Sequence, residues 1–382
     1  MKTREVGVIG AGVMGSEIAQ VAAAAGAVVR LRDVDVERVE HGRAHVAAIC
    51  ARRVARGRMS AEEAGQILAR VHPALCDDDL AECDLVIEAV TEVMEVKTTL
   101  AAAVDKILRP SAIFASNTSG LSITEIGRAT GRPDRVVGMH FFNPASVMAL
   151  VEVVRGEDTS DETLQTAIEA AKAFGKHPVV VKECPGFLVN RILCRGLAEA
   201  YRAAERGGAD RAAVDGAVVG AGPAPMGPFA LGDLVGIDTL HHVLVDLRAA
   251  YGDRFDDSGL AARMVEAGTL GAKSGGGFFV GTPPEVTPDD VARDVAEHYY
   301  LGAFDEACRC LEEGISAADD VNVSMVLGTG WSEGPLAWAN EVGPDPLRER
   351  LEVLARRSGD RFAPREALLG RLASGAFESD LS

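Results

Sequence analysis

Short apolar runs alternate with amphipathic stretches through the first half of the chain. The runs "VGVI" (6–9), "AVVRLR" (27–32), "DLVIEAV" (84–90), "AIFAS" (112–116), "RVVGMHF" (135–141), "ALVEVV" (149–154) and "HPVVVK" (177–182) read as strands. The stretch "SEIAQVAAAAG" and those near 36–57, 61–70 and 93–107 read as helices. Strands alternating with helices predict an α/β domain with a largely parallel sheet over residues 1–184. From about Pro185 the strand pattern stops. "PGFLVNRILCRGLAEAYRAAERGG" predicts a long helix, and helical text continues to the end.

The second half contains a repeat. "GPFALGDLVGID" (227–238) returns as "GPLAWANEVGPD" (334–345), and "YGDRF" (251–255) as "SGDRF" (358–362). Glu205 and Gly207 return as Glu312 and Gly314, all at the same offset of 107 positions. A constant offset predicts a duplicated helical domain, with copies at 185–280 and 291–382. The Gly- and Pro-rich stretch 271–290 bridges them. The first copy carries Asn190, whose counterpart is Glu297, so only the first copy is expected to face chemistry.

The first apolar run leads into "GAGVMG", with glycines at 10, 12 and 15. Gly10 suits a tight turn, Gly12 a close backbone approach to a pyrophosphate, and Gly15 close helix–strand packing. The helix that follows offers unpaired N–H groups to phosphates. Asp33 stands 21 residues past Gly12, at the end of the second strand. That is the spacing of an acid that holds the adenosine ribose. It favours NAD over NADP, since a 2′-phosphate would be repelled; Arg32 beside it works against that preference. "EAVTEVMEVK", "SNTSG" and "HFFNP" follow three further strand ends, so three polar loops converge on one edge of the sheet and bring Glu92 and Lys97 near the cofactor.

Composition narrows the class of partner. The 382 residues are 47% hydrophobic and 25% charged, as in ordinary globular proteins. No apolar run approaches the roughly 18 residues of a membrane span. The chain enters its first strand directly, without the apolar run of a signal peptide. Seven scattered cysteines include no Cys-x-x-Cys pair, which argues against a zinc site or a secreted disulfide framework. A cytoplasmic protein with unpaired thiols and no bound metal is expected. The net charge of −18 argues against nucleic acid or an anionic membrane as partner. An anionic small ligand then needs local positive charge, and "ARRVARGR" supplies Arg52, Arg53, Arg56 and Arg58. These form either a solvated helix face or a cradle for a phosphorylated substrate handle.

Within "GMHFFNPASVMALVEVV" (138–154), His140 and Glu152 are out of place in an apolar sheet. The two lie on strands expected to be neighbours, so their side chains can meet. An imidazole can accept the proton of a secondary alcohol as hydride leaves its carbon, and a carboxylate on the other ring nitrogen can fix the tautomer.

The chain resembles the NAD-dependent L-3-hydroxyacyl-CoA dehydrogenase family. "GVIGAGVMGSEIA", "FASNTSGLSITEI", "GMHFFNPASVMALVEVV", "GKHPVVVKECPGFLVNRIL", "PMGPF" and "GAKSGGGFF" carry the likeness, in family order. The resemblance implies a Rossmann-type NAD-binding domain followed by two tandem all-α, 6-phosphogluconate-dehydrogenase-like domains. It implies His140 as catalytic base, Glu152 as its partner, and Ser119 and Asn190 as substrate contacts. Gly10, Gly12, Val13, Met14, Gly15, Asp33, Glu92, Lys97, Asn117, Ser119, Asn143 and Lys273 would bind NAD. Arg52, Arg53 and Arg56 would meet the CoA. It also implies that the two helical copies pair with each other, leaving a further homodimer open. Ala145-Ser146 stands where the family commonly shows Val-Pro, Pro223-Ala224 where an aromatic is common, and Ala230 where Glu is common. These departures leave acyl-chain length open. The alternatives are a dehydrogenase of a free sugar acid such as gulonate, with the same His–Glu pair, and a structural or storage protein that has lost turnover.

Overall fold

The computed structural model describes residues 5–373, so residues 1–4 and 374–382 of the expected domains lie outside the described residues. The chain forms two compact units, Met1–Glu183 and Cys184–Ser382.

The first unit is built on one eight-stranded sheet. Its strands are β1 (Glu5–Ile9), β2 (Val28–Arg32), β3 (Val71–Ala74), β4 (Leu85–Glu88), β5 (Ile113–Ser116), β6 (Val136–Phe141), β7 (Leu150–Arg155) and β8 (His177–Lys182). They run in the order β3-β2-β1-β4-β5-β6-β7-β8. Every neighbouring pair is parallel except β6 and β7. The helices are α1 (Val13–Ala24), α2 (Val36–Ala55), α3 (Ala61–Arg70), α4 (Met94–Asp105), α5 (Ile123–Arg128) and α6 (Asp161–Ala173). The strand order reverses between β1 and β4, which is where open α/β sheets form a ligand crevice. The Ala-rich α1 comes close to the sheet, and Gly15 makes that possible. A Cβ on Gly15 would lie 1.7 Å from the Gly10 carbonyl oxygen.

Some elements escaped the sequence pattern. β3 is only "VHPA", too short and too proline-marked to read as a strand; at the sheet edge the missing proline N–H is tolerated. α5 is a short connector, and α6, "DETLQTAIEAAKA", buries a face made mostly of alanine and so gives a weak apolar signal. β4 stops at Glu88 and not at Val90, because the Glu88 carboxylate accepts the Val90 N–H at 2.7 Å and turns the chain.

The second unit is helical. Its helices are α7 (Val189–Gly207), α8 (Arg211–Ala221), α9 (Pro228–Val235), α10 (Ile237–Tyr251), α11 (Leu260–Glu266), α12 (Asp290–Glu312), α13 (Ala318–Thr329), α14 (Pro335–Val342), α15 (Pro344–Ser358) and α16 (Glu366–Ala373). The bounds of α9 and α10, shifted by 107, are those of α14 and α15. The short turns Asp253–Phe255 and Asp360–Phe362 coincide at the same offset. α7 begins at Val189 and not at Pro185, because Gly186 and Phe187 both take positive φ, 73° and 50°, which a helix cannot contain. Among the ion pairs between the repeats, two mirror each other: Arg254 Nε to Glu306 Oε2 at 2.8 Å, and Arg361 Nε to Glu199 Oε1 at 2.6 Å. Arg254 and Arg361 are counterparts at offset 107, and so are Glu199 and Glu306. Among the described residues no helix is long and apolar enough to cross a membrane.

Candidate active site

The antiparallel turn from β6 to β7 makes the central pair. His140 and Glu152 stand directly opposite in the register. Directly opposed residues share a sheet face with Cβ atoms about 5 Å apart. His140 Nδ1 and Glu152 Oε2 lie 2.7 Å apart. Glu152 is fully buried and His140 nearly so, with its ring 4.5 Å from that of Phe142. A carboxylate this buried needs a hydrogen-bonding partner, and the imidazole is one.

The loops after β4, β5 and β6 are tied together by hydrogen bonds. Glu92 Oε1 accepts from the Ser119 N–H at 2.8 Å and from Thr118 Oγ1 at 2.5 Å. Asn117 Oδ1 accepts the Phe141 N–H at 2.8 Å. Below them lies Glu88, fully buried, which the sequence reading missed. It accepts from Lys97 Nζ at 2.7 Å and from Ser116 Oγ at 2.6 Å. Lys97 is 1% exposed, and its Nζ also lies 3.2 Å from Glu92 Oε2. Lys97 therefore connects a buried carboxylate to the half-exposed Glu92. Glu88 was hidden because one acid near the end of "DLVIEAV" carries no signal by itself, and its partner stands nine positions away on α4.

The glycine turn suits a pyrophosphate. A Cβ on Gly10 would lie 2.5 Å from the Ala89 carbonyl oxygen, whereas one on Gly12 would meet nothing within 4 Å. The side at Gly12 is open for an approaching ligand. α1 starts at Val13 and Met14 with no side-chain cap and no acid in its first turn, so its N–H groups face outward unopposed. Asp33 Oδ2 accepts the Ala11 N–H at 2.7 Å, which ties the end of β2 to that turn. Arg32 is engaged elsewhere, with Nε 3.0 Å from Asp77 Oδ1.

Asn143 is exposed just beyond β6. The Ala145–Met148 segment after it is pinned by three groups from other elements. Lys176 Nζ donates to the carbonyls of Ala145 and Met148. Glu17 Oε2 on α1 accepts the Ser146 N–H at 3.1 Å, and Arg53 Nη1 donates to the Ser146 carbonyl at 3.3 Å. Burial pulls the Lys176 ammonium below its ordinary range, and Glu17 partly offsets this. Of the arginines on and after α2, Arg52 and Arg56 are exposed, while Arg53 is turned inward to Ser146. In the helical unit, Asn190 lies half-buried in the first turn of α7 and Lys273 pairs with Asp238.

The sequence and the fold agree with one family. The NAD-binding domain of 3-hydroxyacyl-CoA dehydrogenase matches residues 5–184. The C-terminal domain of 3-hydroxyacyl-CoA dehydrogenase matches twice, over 186–281 and 295–378. The chain belongs to the 3-hydroxyacyl-CoA dehydrogenase family, a family of NAD-dependent oxidoreductases. The fatty acid oxidation complex subunit alpha of Psychrobacter arcticus is 37% identical over 392 residues, which cover 95% of this chain and 54% of that protein. The same subunit from Idiomarina loihiensis is 35% identical, over 90% of this chain and 52% of its own length. The chain thus spans about half the length of the curated relatives it matches. Among solved structures, 3-hydroxybutyryl-CoA dehydrogenase from Escherichia coli K12 matches with a TM-score of 0.90 at 29% identity, over 99% of this chain and 100% of that one. The (S)-3-hydroxybutyryl-CoA dehydrogenase from Ralstonia eutropha is 39% identical, with a TM-score of 0.70 over 74% of this chain and 100% of that one.

Proposed function

We propose that the chain catalyses the reversible oxidation of an L-3-hydroxyacyl-CoA to the 3-oxoacyl-CoA, with His140 as the base and Glu152 as its partner. The observation that carries this reading is the 2.7 Å contact between His140 Nδ1 and Glu152 Oε2. NAD, when bound, supplies the hydride acceptor. The protein's part is to handle the proton. With Nδ1 engaged by Glu152, Nε2 is the ring atom that exchanges a proton with the substrate hydroxyl. Glu152 stabilises the imidazolium that forms, and the reverse reaction returns the proton to the oxygen. A positioned base of this kind contributes about 10²–10⁴ in rate.

Ser119 is proposed to hold the substrate oxygen, on a loop whose backbone Glu92 anchors. The family resemblance adds Asn190 as a second substrate contact, and Asn117, Asn143 and Lys273 as cofactor contacts. Lys97 is assigned a different part from direct contact. Buried between Glu88 and Glu92, it is a positioning residue that sets the Glu92 carboxylate. Gly10, Gly12 and Gly15 with the start of α1 would hold the pyrophosphate, and Asp33 the ribose. Arg52 and Arg56, exposed at the end of α2, offer positive charge for the CoA phosphates, which favours a CoA ester over a free acid.

The organisation proposed is an NAD-binding domain at 1–184 and helical copies at 185–280 and 291–382, the second copy serving as a built-in partner for the first. The reciprocal pairs Arg254–Glu306 and Arg361–Glu199 support a two-fold relation of this kind. Covalent linkage raises the effective concentration of the second copy to about the mM range. All seven cysteines are free thiols and five are buried, which supports a reducing setting such as the cytoplasm.

The test is NADH oxidation followed by absorbance, with acetoacetyl-CoA set against acetoacetate and a free sugar acid. Turnover of the CoA ester well above both free acids is expected. Equal or faster turnover of a free acid would move the reading to a carrier-free dehydrogenase.

A further inference from the structure

The repeat lets the two halves of the helical unit be compared position by position, and one comparison leads to a cavity. Arg191 on α7 is fully buried and 4.2 Å over the Tyr251 ring. It donates to Glu306 at 2.7 Å and to Glu313 at 2.7 and 2.8 Å. Arg254 shares Glu306, and Arg309 is held by Asp305 at 2.8 Å. Arg365 also donates to Asp305 and pairs with Glu312, so four guanidinium groups here face four carboxylates and the charge is balanced by the protein itself.

At the counterpart positions His298 replaces Arg191, Ser358 replaces Tyr251, Arg206 replaces Glu313 and Arg357 replaces Ala250. The counterpart of Asp305 is Ala198. Beside His298 lies a cavity of about 250 Å³. Arg202, Arg206, Arg357 and Arg361 line it with Glu199 and Asp294, and outside the lining Asp256 lies 3.9 Å from Arg202, so four positive groups stand against three negative. Both lining carboxylates are already in use. Glu199, fully buried, accepts from Arg195, Arg202 and Arg361. Asp294 accepts from Arg357 at 2.7 and 3.0 Å. Arg206 at the exposed rim has no ion pair among the described residues. His298 is spent on the Asp294 carbonyl and on Ser358.

A local positive excess around buried groups is costly unless an anion offsets it, and it stands in a chain of net charge −18. The geometry points to this cavity as a binding site for a small phosphate-type dianion. Arg206 and Arg357 form its rim, and Arg202 and Arg361, which donate to Glu199 and to the carbonyls of Asp253, Asp256 and Ser358, form its floor and add charge more than free donors. Guanidinium forks match phosphate oxygens in pairs. The volume lies below the roughly 300–1,000 Å³ of pockets for larger organic ligands. It therefore suits free phosphate or a small phosphomonoester. The bound ion would bridge α7 of the first copy and α15 of the second, and so would stabilise the helical unit. The site is independent of the hydride-transfer reading.

The test uses the full chain saturated with NADH, so that the glycine turn is occupied. Inorganic phosphate, and separately glycerol 3-phosphate, is titrated by calorimetry at fixed ionic strength, with chloride as the balancing anion. One saturable site is expected, with an unfolding midpoint raised by a few degrees. Arg206→Glu restores the charge found at Glu313, and Arg357→Ala restores the side chain found at Ala250. Both positions are exposed, and each change is expected to weaken binding about tenfold or more, a step of about 1.4 kcal/mol. Binding of glycerol 3-phosphate alone identifies an organic phosphate as the ligand; binding of the free ion identifies phosphate itself. Failure of both to bind above chloride, or variants that keep wild-type affinity, would overturn the site.

Discussion

Asp215 and Asn322 stand at counterpart positions and make the same two hydrogen bonds. Asp215 accepts the backbone N–H groups of Phe229 at 2.9 Å and Ala230 at 2.8 Å. Asn322 Oδ1 accepts those of Leu336 at 3.0 Å and Ala337 at 3.2 Å. Each side chain ties the start of one helix to the helix before it. One copy does this with a charge and the other without. Burial pushes the Asp215 carboxyl up to about 6; its two N–H bonds oppose that rise and Asp233 adds to it.

This raised value sets a pH dependence. An unfolded aspartate titrates near 3.9. Between about pH 4 and 6 the folded chain therefore holds a proton that the unfolded chain has lost. That contribution to stability is full below pH 4 and is gone above about pH 6. Asp215→Asn removes it. The stability of the variant relative to wild type should shift in the variant's favour by up to about 3 kcal/mol from pH 4 to pH 7. Urea unfolding across that range measures the shift. Parallel profiles for the two proteins would show that the carboxyl is not raised.

Glu306 is fully buried and serves Arg191 and Arg254 together. Glu306→Ala leaves those guanidinium groups without a shared acceptor. A loss of about 3–5 kcal/mol is expected in urea unfolding at neutral pH. Glu306→Gln keeps the shape and should lose less. A loss under about 1 kcal/mol for the alanine variant would mean that solvent screens the group.

Glu88 holds Lys97, and Lys97 sets Glu92. Glu88→Gln should loosen that carboxylate and raise the KM for NAD several-fold, with kcat changed much less. Steady-state kinetics at saturating acyl substrate separates the two parameters. A collapse of kcat at unchanged KM would place Glu88 in the chemistry and not in positioning.

The proposed preference for NAD rests on Asp33 as ribose ligand and on the capture of Arg32 by Asp77. NADH should be favoured clearly over NADPH in kcat/KM. Asp77→Ala frees Arg32 and should narrow the gap, since a guanidinium can then meet a 2′-phosphate. Equal use of both cofactors by the wild-type chain would contradict this.

Much of the fold was legible because its signals are local. The glycine turn, the apolar runs and the repeat offset each lie within a short window, and they place His140 and Glu152 on adjacent strands. What stayed hidden depends on pairing at a distance. Glu88 carries no signal by itself until Lys97 folds onto it from α4. Glu17 and Lys176 read as ordinary helix and loop charges, yet both pin the segment at Ala145–Met148. The start of α7 shifted because backbone conformation at Gly186 and Phe187, not hydrophobic period, decides where the helix begins. The cationic cavity follows from unlike substitutions at counterpart positions, which become visible only when the two copies face each other.

The proposed role of His140 in moving the proton is tested by His140→Ala. Turnover of NADH with acetoacetyl-CoA is measured alongside NADH binding by fluorescence titration. The account predicts a fall in kcat of about 10² or more, with NADH affinity nearly unchanged. A variant that keeps more than about a tenth of wild-type turnover would contradict it.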